Sequence, residues 1–190
     1  MRRLVPVAVA LLAVAGCTSG GSGTAAEPSP TASPAAVLTA CPEQPAAGAT
    51  GAERLPPLAF DCPGGGSLDL ARAPGVPMVV NLWGSWCPPC REEMPLLQQF
   101  SEAAGDRVRV VGVISKDGLP QAASFAQDAG VTFPSAFDGD GELMAELGLN
   151  ALPFTYFVDA AGALVHTEAG PVSSVEELRG LVAEHLGVQL

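Results

Sequence analysis

The feature that most constrains this chain is a junction. Val76-Pro77-Met78-Val79-Val80-Asn81-Leu82-Trp83 is apolar apart from one Asn, and it runs directly into Gly84-Ser85-Trp86-Cys87-Pro88-Pro89-Cys90. A near-continuous apolar run of this length reads as a strand buried on both faces, which requires a sheet with cover above and below. Pro88 and Pro89 then suit the first turn of a helix, where backbone amide hydrogens have no partner within the helix. Cys90, Met94, Leu97 and Ala104 follow at helical spacing on one face. Pro95 should kink that helix and Gly105 should end it. The two cysteines therefore sit where a buried strand hands over to a helix start.

That position has chemical consequences. A helix N-terminus presents unpaired amides and a partial positive charge, both of which stabilise an anion. A thiolate held there has a lowered pKa and is a nucleophile at neutral pH. Two intervening residues let the second sulfur close a small disulfide with the first. The expected roles are Cys87 as an exposed attacking thiolate and Cys90, one turn in, as the shielded resolving thiol. Three other readings of a CxxC pair compete. A zinc site would ordinarily need a second ligand pair. Cys41 and Cys62 lie far apart in sequence, and His166 and His185 have no ligand spacing. Both histidines are expected at the surface or a sheet edge, and no metal is expected. A purely structural CxxC disulfide and peroxidase chemistry at a single cysteine are the remaining alternatives. No cofactor beyond the redox-active cysteine pair is called for.

The rest of the chain extends the alternation of strand and helix. Arg107 to Ile114 reads as a strand, and Pro120 opens a helix with Ala122, Phe125, Ala126 and Ala129 inward and Gly130 as its stop. A short helix is expected near Glu142 to Leu147. Phe154 to Asp159 and Ala163 to Thr167 read as a hairpin. Ser173-x-x-Glu176 and Ser174-x-x-Glu177 are alternative capping boxes for a last helix. Leu58 to Asp61 and Ser67 to Leu70 are two short strand candidates around Gly64-Gly65-Gly66. This order indicates an α/β domain with a partly parallel sheet.

The N-terminus reads as an export signal. Arg2 and Arg3 precede the apolar run Leu4 to Ala15, which is shorter than the ~20 residues a membrane-spanning helix needs. Ala13-Val14-Ala15 would suit ordinary cleavage and release. Val14-Ala15-Gly16-Cys17 resembles a bacterial lipobox, in which Cys17 would be acylated and become the new N-terminus. The favoured organisation is a lipoprotein signal at 1–16, a Gly/Ser- then Pro/Ser-rich linker at 17–37, and a folded domain at 38–190 whose first part, 38–77, is an extension with short strands. Twenty linker residues have an r.m.s. span of ~25 Å, enough to hold a domain clear of a membrane surface. Export implies an oxidising compartment. Cys41 and Cys62 are accordingly expected to form a structural disulfide; the alternative is a further redox station for Cys87. A net charge of −11 argues against nucleic acid as a partner.

The stretch from Val80 through Trp83-Gly84-Ser85-Trp86-Cys87-Pro88-Pro89-Cys90-Arg91-Glu92-Glu93-Met94-Pro95 resembles the active-site segment of the TlpA/ResA-like thioredoxins. The resemblance covers about residues 55–190. It implies a thioredoxin-like fold, a central mixed β-sheet flanked by helices on both faces. It also implies an extracytoplasmic thiol–disulfide oxidoreductase, with protein thiols and disulfides as substrates and a membrane electron-donor or acceptor protein as partner. Reduction of exported proteins, including in cytochrome c maturation, is the favoured direction; disulfide formation and a non-enzymatic lipoprotein are the alternatives. By the same resemblance, Asn81 stands where cytoplasmic thioredoxins carry a buried Asp. Glu93 matches an acidic residue that relays a proton to or from the resolving thiol, although a first-turn acid on the helix dipole would look the same. Pro153 matches a cis-proline facing the cysteines, leaving the Leu152 backbone to pair with substrate. Trp86 and Pro88 would complete the substrate rim. Phe154 departs from the family's usual Thr.

Overall fold

The computed structural model describes residues 38–190. The signal sequence expected at 1–16, the acylation expected at Cys17 and the linker expected at 17–37 fall on residues outside those described. Seven strands and four helices follow in the order β1 (Ala59–Asp61), β2 (Ser67–Asp69), β3 (Met78–Trp83), α1 (Pro88–Ala104), β4 (Arg109–Ser115), α2 (Leu119–Asp128), β5 (Ser135–Asp138), α3 (Glu142–Glu146), β6 (Phe154–Val158), β7 (Leu164–Ala169) and α4 (Val175–His185). A 3-10 turn over Gly105–Arg107 joins α1 to β4, so that strand begins two residues later than its sequence pattern suggested.

Five strands form one mixed sheet in the order β5-β4-β3-β6-β7. β3 is central, parallel to β4 and antiparallel to β6. Every residue of β3 is buried, and so are the last six of β4. Strands buried on both faces need helices on both sides of the sheet, as the apolar run at 76–83 anticipated. This is the thioredoxin-like arrangement that the resemblance implied. β5 was not anticipated. Ser135-Ala136-Phe137-Asp138 has neither alternation nor an apolar run; it is a strand because the free edge of β4 pairs with it in parallel register.

α1 runs through Pro95 without interruption for 17 residues. It ends at Gly105, whose φ of 54° lies in the left-handed region that glycine adopts without steric cost. Cys90, Met94, Leu97 and Ala104, the face read from sequence, are all buried. α4 starts as a capping box: the Ser174 hydroxyl accepts from the Glu177 amide, and the Glu177 carboxylate accepts from the Ser173 amide and hydroxyl. Of the two alternatives in the sequence, the later one caps.

β1 and β2 pair as a separate antiparallel ribbon, held to the preceding segment by the Cys41–Cys62 disulfide. The two histidines, expected at the surface or a sheet edge, are part-exposed, and His166 lies on the edge strand β7. Their rings stack at 3.9 Å and are nearly parallel, both tilted against Phe157, which ties β7 to the end of α4. They lie 19 positions apart, and only the pairing of β7 with β6 and the packing of α4 bring them together. Among the described residues no helix is long and apolar enough to cross a membrane.

Candidate active site

Cys87 and Cys90 are joined by a disulfide with Cα atoms 5.3 Å apart. The bond forms here because β3 delivers the chain to a tight turn. The Cys87 amide donates to the Gly84 carbonyl at 3.1 Å, and Cys87 becomes the N-cap of α1 with Pro88 and Pro89 inside the first turn. Its sulfur accepts from the Cys90 amide at 3.2 Å. That is the capping geometry a serine oxygen would provide, here supplied by sulfur. A side chain at Gly84 would have to displace the Trp86 indole. A Cβ there would meet the Trp86 indole nitrogen at 2.6 Å, because the indole folds back over it.

The expectation of a solvent-facing Cys87 is corrected. In the disulfide state Cys87 is 3% exposed and Cys90 fully buried. The bridge and the Cys90 amide both draw the sulfur back over its own helix. Exposure passes instead to the neighbouring Trp86, at 51%. Trp83 is completely buried and leans on Phe125 of α2, with ring centroids 5.9 Å apart.

Leu152 and Pro153 enter β6, and the Leu152–Pro153 peptide is cis. Phe154 pairs with Leu82 across the ladder, so this segment lies beside the end of β3, where the cysteine turn departs. Phe154 also stacks on Tyr156, with centroids 6.3 Å apart.

Glu93 occupies the third position after Cys90, on the same buried face of α1, one turn deeper. It is 1% exposed. One carboxyl oxygen accepts from the Asn81 amide at 2.9 Å, and the other accepts from the Val172 backbone amide at 3.0 Å. Asn81 also donates to Thr155. Burial raises the Glu93 pKa to about 7, more than these hydrogen bonds lower it. The residue is therefore poised to exchange a proton near neutral pH. A first-turn acid serving only the helix dipole would stand exposed, which Glu93 does not. Sequence reasoning named Asn81 and Glu93 separately; their hydrogen bond across β3 and α1 had no local signal.

The other residues around the turn went unread. Ser85 donates its amide to the Asp117 carboxylate and accepts from Arg91 at 3.3 Å. The Arg91 guanidinium lies 4.8 Å from the Phe125 ring centroid. A hollow of about 510 Å³ opens here, lined by Ser85, Arg91, Gln121, Ser124 and Phe125 among others. No cluster of metal-ligating side chains occurs among the described residues.

Comparison with known proteins agrees with this geometry. The sequence model of the Redoxin family matches residues 49–182. The chain is 39% identical over 105 residues to a thiol:disulfide interchange protein DsbE homolog of Paracoccus denitrificans, covering 55% of this chain and 56% of that protein. It is 39% identical over 100 residues to DsbE of Escherichia coli K12, covering 52% of each. The chain thus spans little more than half the length of these curated relatives. Among solved structures, a DsbF homologue from Corynebacterium diphtheriae superimposes with a TM-score of 0.60 at 28% identity, covering 77% of this chain and 99% of that one.

Proposed function

The chain belongs to the Redoxin family, and on that premise we propose that it is a thiol–disulfide oxidoreductase acting outside the cytosol, with Cys87 and Cys90 as its catalytic pair. The observation that carries this reading is the disulfide at the start of α1, with the Cys87 sulfur already accepting an amide hydrogen. The same amide would stabilise a thiolate once the bridge opens.

In the reducing direction the Cys87 thiolate attacks one sulfur of a substrate disulfide. A Cys87–substrate disulfide forms, and the other substrate sulfur leaves as a thiolate and takes up a proton. Cys90 then loses its proton and attacks the Cys87 sulfur, reforming the internal bridge and releasing the second substrate thiol. Two electrons pass to the substrate, and a dithiol partner must restore them. Glu93, one turn deeper on the same buried face of α1, receives the proton that Cys90 loses. Trp86, Pro88, Leu152 and Pro153 frame the approach. Once the bridge opens, Cys87 meets the substrate beside Trp86 while its sulfur keeps the Cys90 amide.

The substrates are disulfides of exported proteins, apocytochrome c among them, and the electron donor is a membrane protein. The lipobox-like Val14-Ala15-Gly16-Cys17 supports acylation at Cys17 and tethering to the outer face of the cell membrane. Cys41–Cys62 serves as a structural bridge. The reducing direction is favoured because Pro88 and Pro89 supply no amide hydrogens, which limits thiolate stabilisation. The test is the equilibrium potential of Cys87/Cys90 in dithiothreitol buffers. A value near thioredoxin's, ~−270 mV, supports reduction, and one near DsbA's, ~−120 mV, reverses the direction.

A further inference from the structure

We propose that Asp117 is a positioning residue: it holds the Gly84–Cys87 turn, and with it the Trp86 rim over which a protein disulfide must approach Cys87. This rests on the redox reading of Cys87 and deepens it.

The turn has few anchors of its own. One hydrogen bond, from the Cys87 amide to the Gly84 carbonyl, closes it. Ser85 and Trp86 project from it, and Trp86 is half exposed. Both backbone polar groups of Ser85 are held from outside the turn. Its amide donates to Asp117, from the loop between β4 and α2, and its carbonyl accepts from Arg91, on the first turns of α1. Asp117 is itself fixed, since its other carboxylate oxygen accepts from the Gly118 amide at 2.8 Å. Arg91 is fixed over Phe125 of α2. A carboxylate and a guanidinium thus grip one residue, two positions before the proposed nucleophile.

The backbone before Asp117 carries a second observation. Lys116 has φ of 52°, the one non-glycine residue at positive φ among the described residues. Such residues are uncommon, and where they persist the surrounding structure holds them there. Here the Lys116 amide donates to the Asp138 carbonyl at 3.1 Å, turning the chain at the end of β4 so that the next side chain reaches Ser85. The two partners of the clamp line different hollows. Ser85 lines the one containing Arg91 and Phe125, while Asp117 lines another of about 450 Å³ containing Phe60 and Phe137. A protein substrate seated on either side touches a wall whose position the Ser85–Asp117 bond sets.

The experiment uses the full chain with Asp117→Ala and Asp117→Asn, the latter keeping an acceptor oxygen without the charge. The first readout needs no turnover. Trp83 is fully buried, so acrylamide quenching of tryptophan fluorescence reports chiefly on Trp86. Quenching is expected to rise about twofold in Asp117→Ala and to return toward the original value in Asp117→Asn. The second readout is reduction kinetics with insulin and with hydroxyethyl disulfide. KM for insulin is expected to rise about tenfold in Asp117→Ala with kcat nearly unchanged, the small disulfide to be little affected, and Asp117→Asn to restore the insulin KM. Unchanged quenching in Asp117→Ala, or an equal loss on both disulfides, would overturn the assignment. If the unaltered protein reduces neither disulfide, the proposed activity fails, and quenching alone then decides whether Asp117 holds the turn.

Discussion

The molecule contains two disulfides that differ in almost everything except burial. Cys87–Cys90 closes a ring three residues apart in sequence, at a helix start, with an amide hydrogen directed at one sulfur. Cys41–Cys62 closes a segment 21 residues apart, outside any regular element. The amides of Cys41 and Cys62 donate to the Gly65 and Gly66 carbonyls, so they serve the backbone rather than the sulfurs. All four cysteines are 9% exposed or less. Burial therefore does not distinguish a working bridge from a holding one. What distinguishes them is whether a bridge sulfur accepts an amide hydrogen, and how much chain the bond restrains. A three-residue ring removes little entropy from the unfolded chain, whereas a loop of about 20 residues contributes ~3 kcal/mol.

The sharpest way to break this contrast is at the sulfurs. Cys87→Ser is expected to lower insulin reduction by more than about 10³-fold, the loss typical of a missing covalent nucleophile. Cys90→Ser should instead accumulate mixed disulfides, visible by mass spectrometry. Loss in Cys90→Ser without trapped adducts would reverse the two roles. Iodoacetamide should alkylate Cys87 before Cys90 in the reduced protein; the opposite order would contradict Cys87 as the attacking thiolate.

The paired replacement Cys41→Ala/Cys62→Ala tests the other side. It should lower unfolding stability in urea by about 3 kcal/mol and leave the Cys87/Cys90 potential unchanged. A shifted potential would make the second bridge a redox partner of the first.

A comparable but pH-dependent effect belongs to Glu93. Its pKa rises on folding from 4.5 to about 7, so the folded state favours the protonated carboxyl. That contribution is complete below pH 4.5 and is lost as pH rises through 7, about 3 kcal/mol in all at 1.36 kcal/mol for each unit. Glu93→Gln should flatten stability across this window. A slope unchanged by the substitution would show that some other group titrates there.

The smallest effect lies at the other capped helix. Ser174→Ala removes an oxygen cap from α4 and should cost about 1 kcal/mol with insulin reduction unchanged.

Much of this arrangement was legible in the chain because its signals are local. The apolar run at 76–83 fixed the central strand, Pro88 and Pro89 marked the helix start, and the Ser and Glu spacing before α4 marked its cap. The resemblance pointed to Pro153. What escaped depends on distant partners. β5 exists because β4 has an edge to pair. Ser85 and Asp117 are 32 positions apart, and Glu93 and Val172 are 79 apart. Cys87 looked exposed from sequence because the first cysteine of the pair sits at a helix start, with Cys90 one turn in. In the bridged state it is 3% exposed.

The bond from the Val172 amide to Glu93 has a practical consequence. It joins the segment leading into α4 to a side chain whose charge changes near neutrality. The Val172 backbone resonance should therefore move with acidity around pH 7. A single labelled nitrogen, far along the chain from the cysteines, would then act as a resident indicator of the proton held beside them, readable without opening the disulfide.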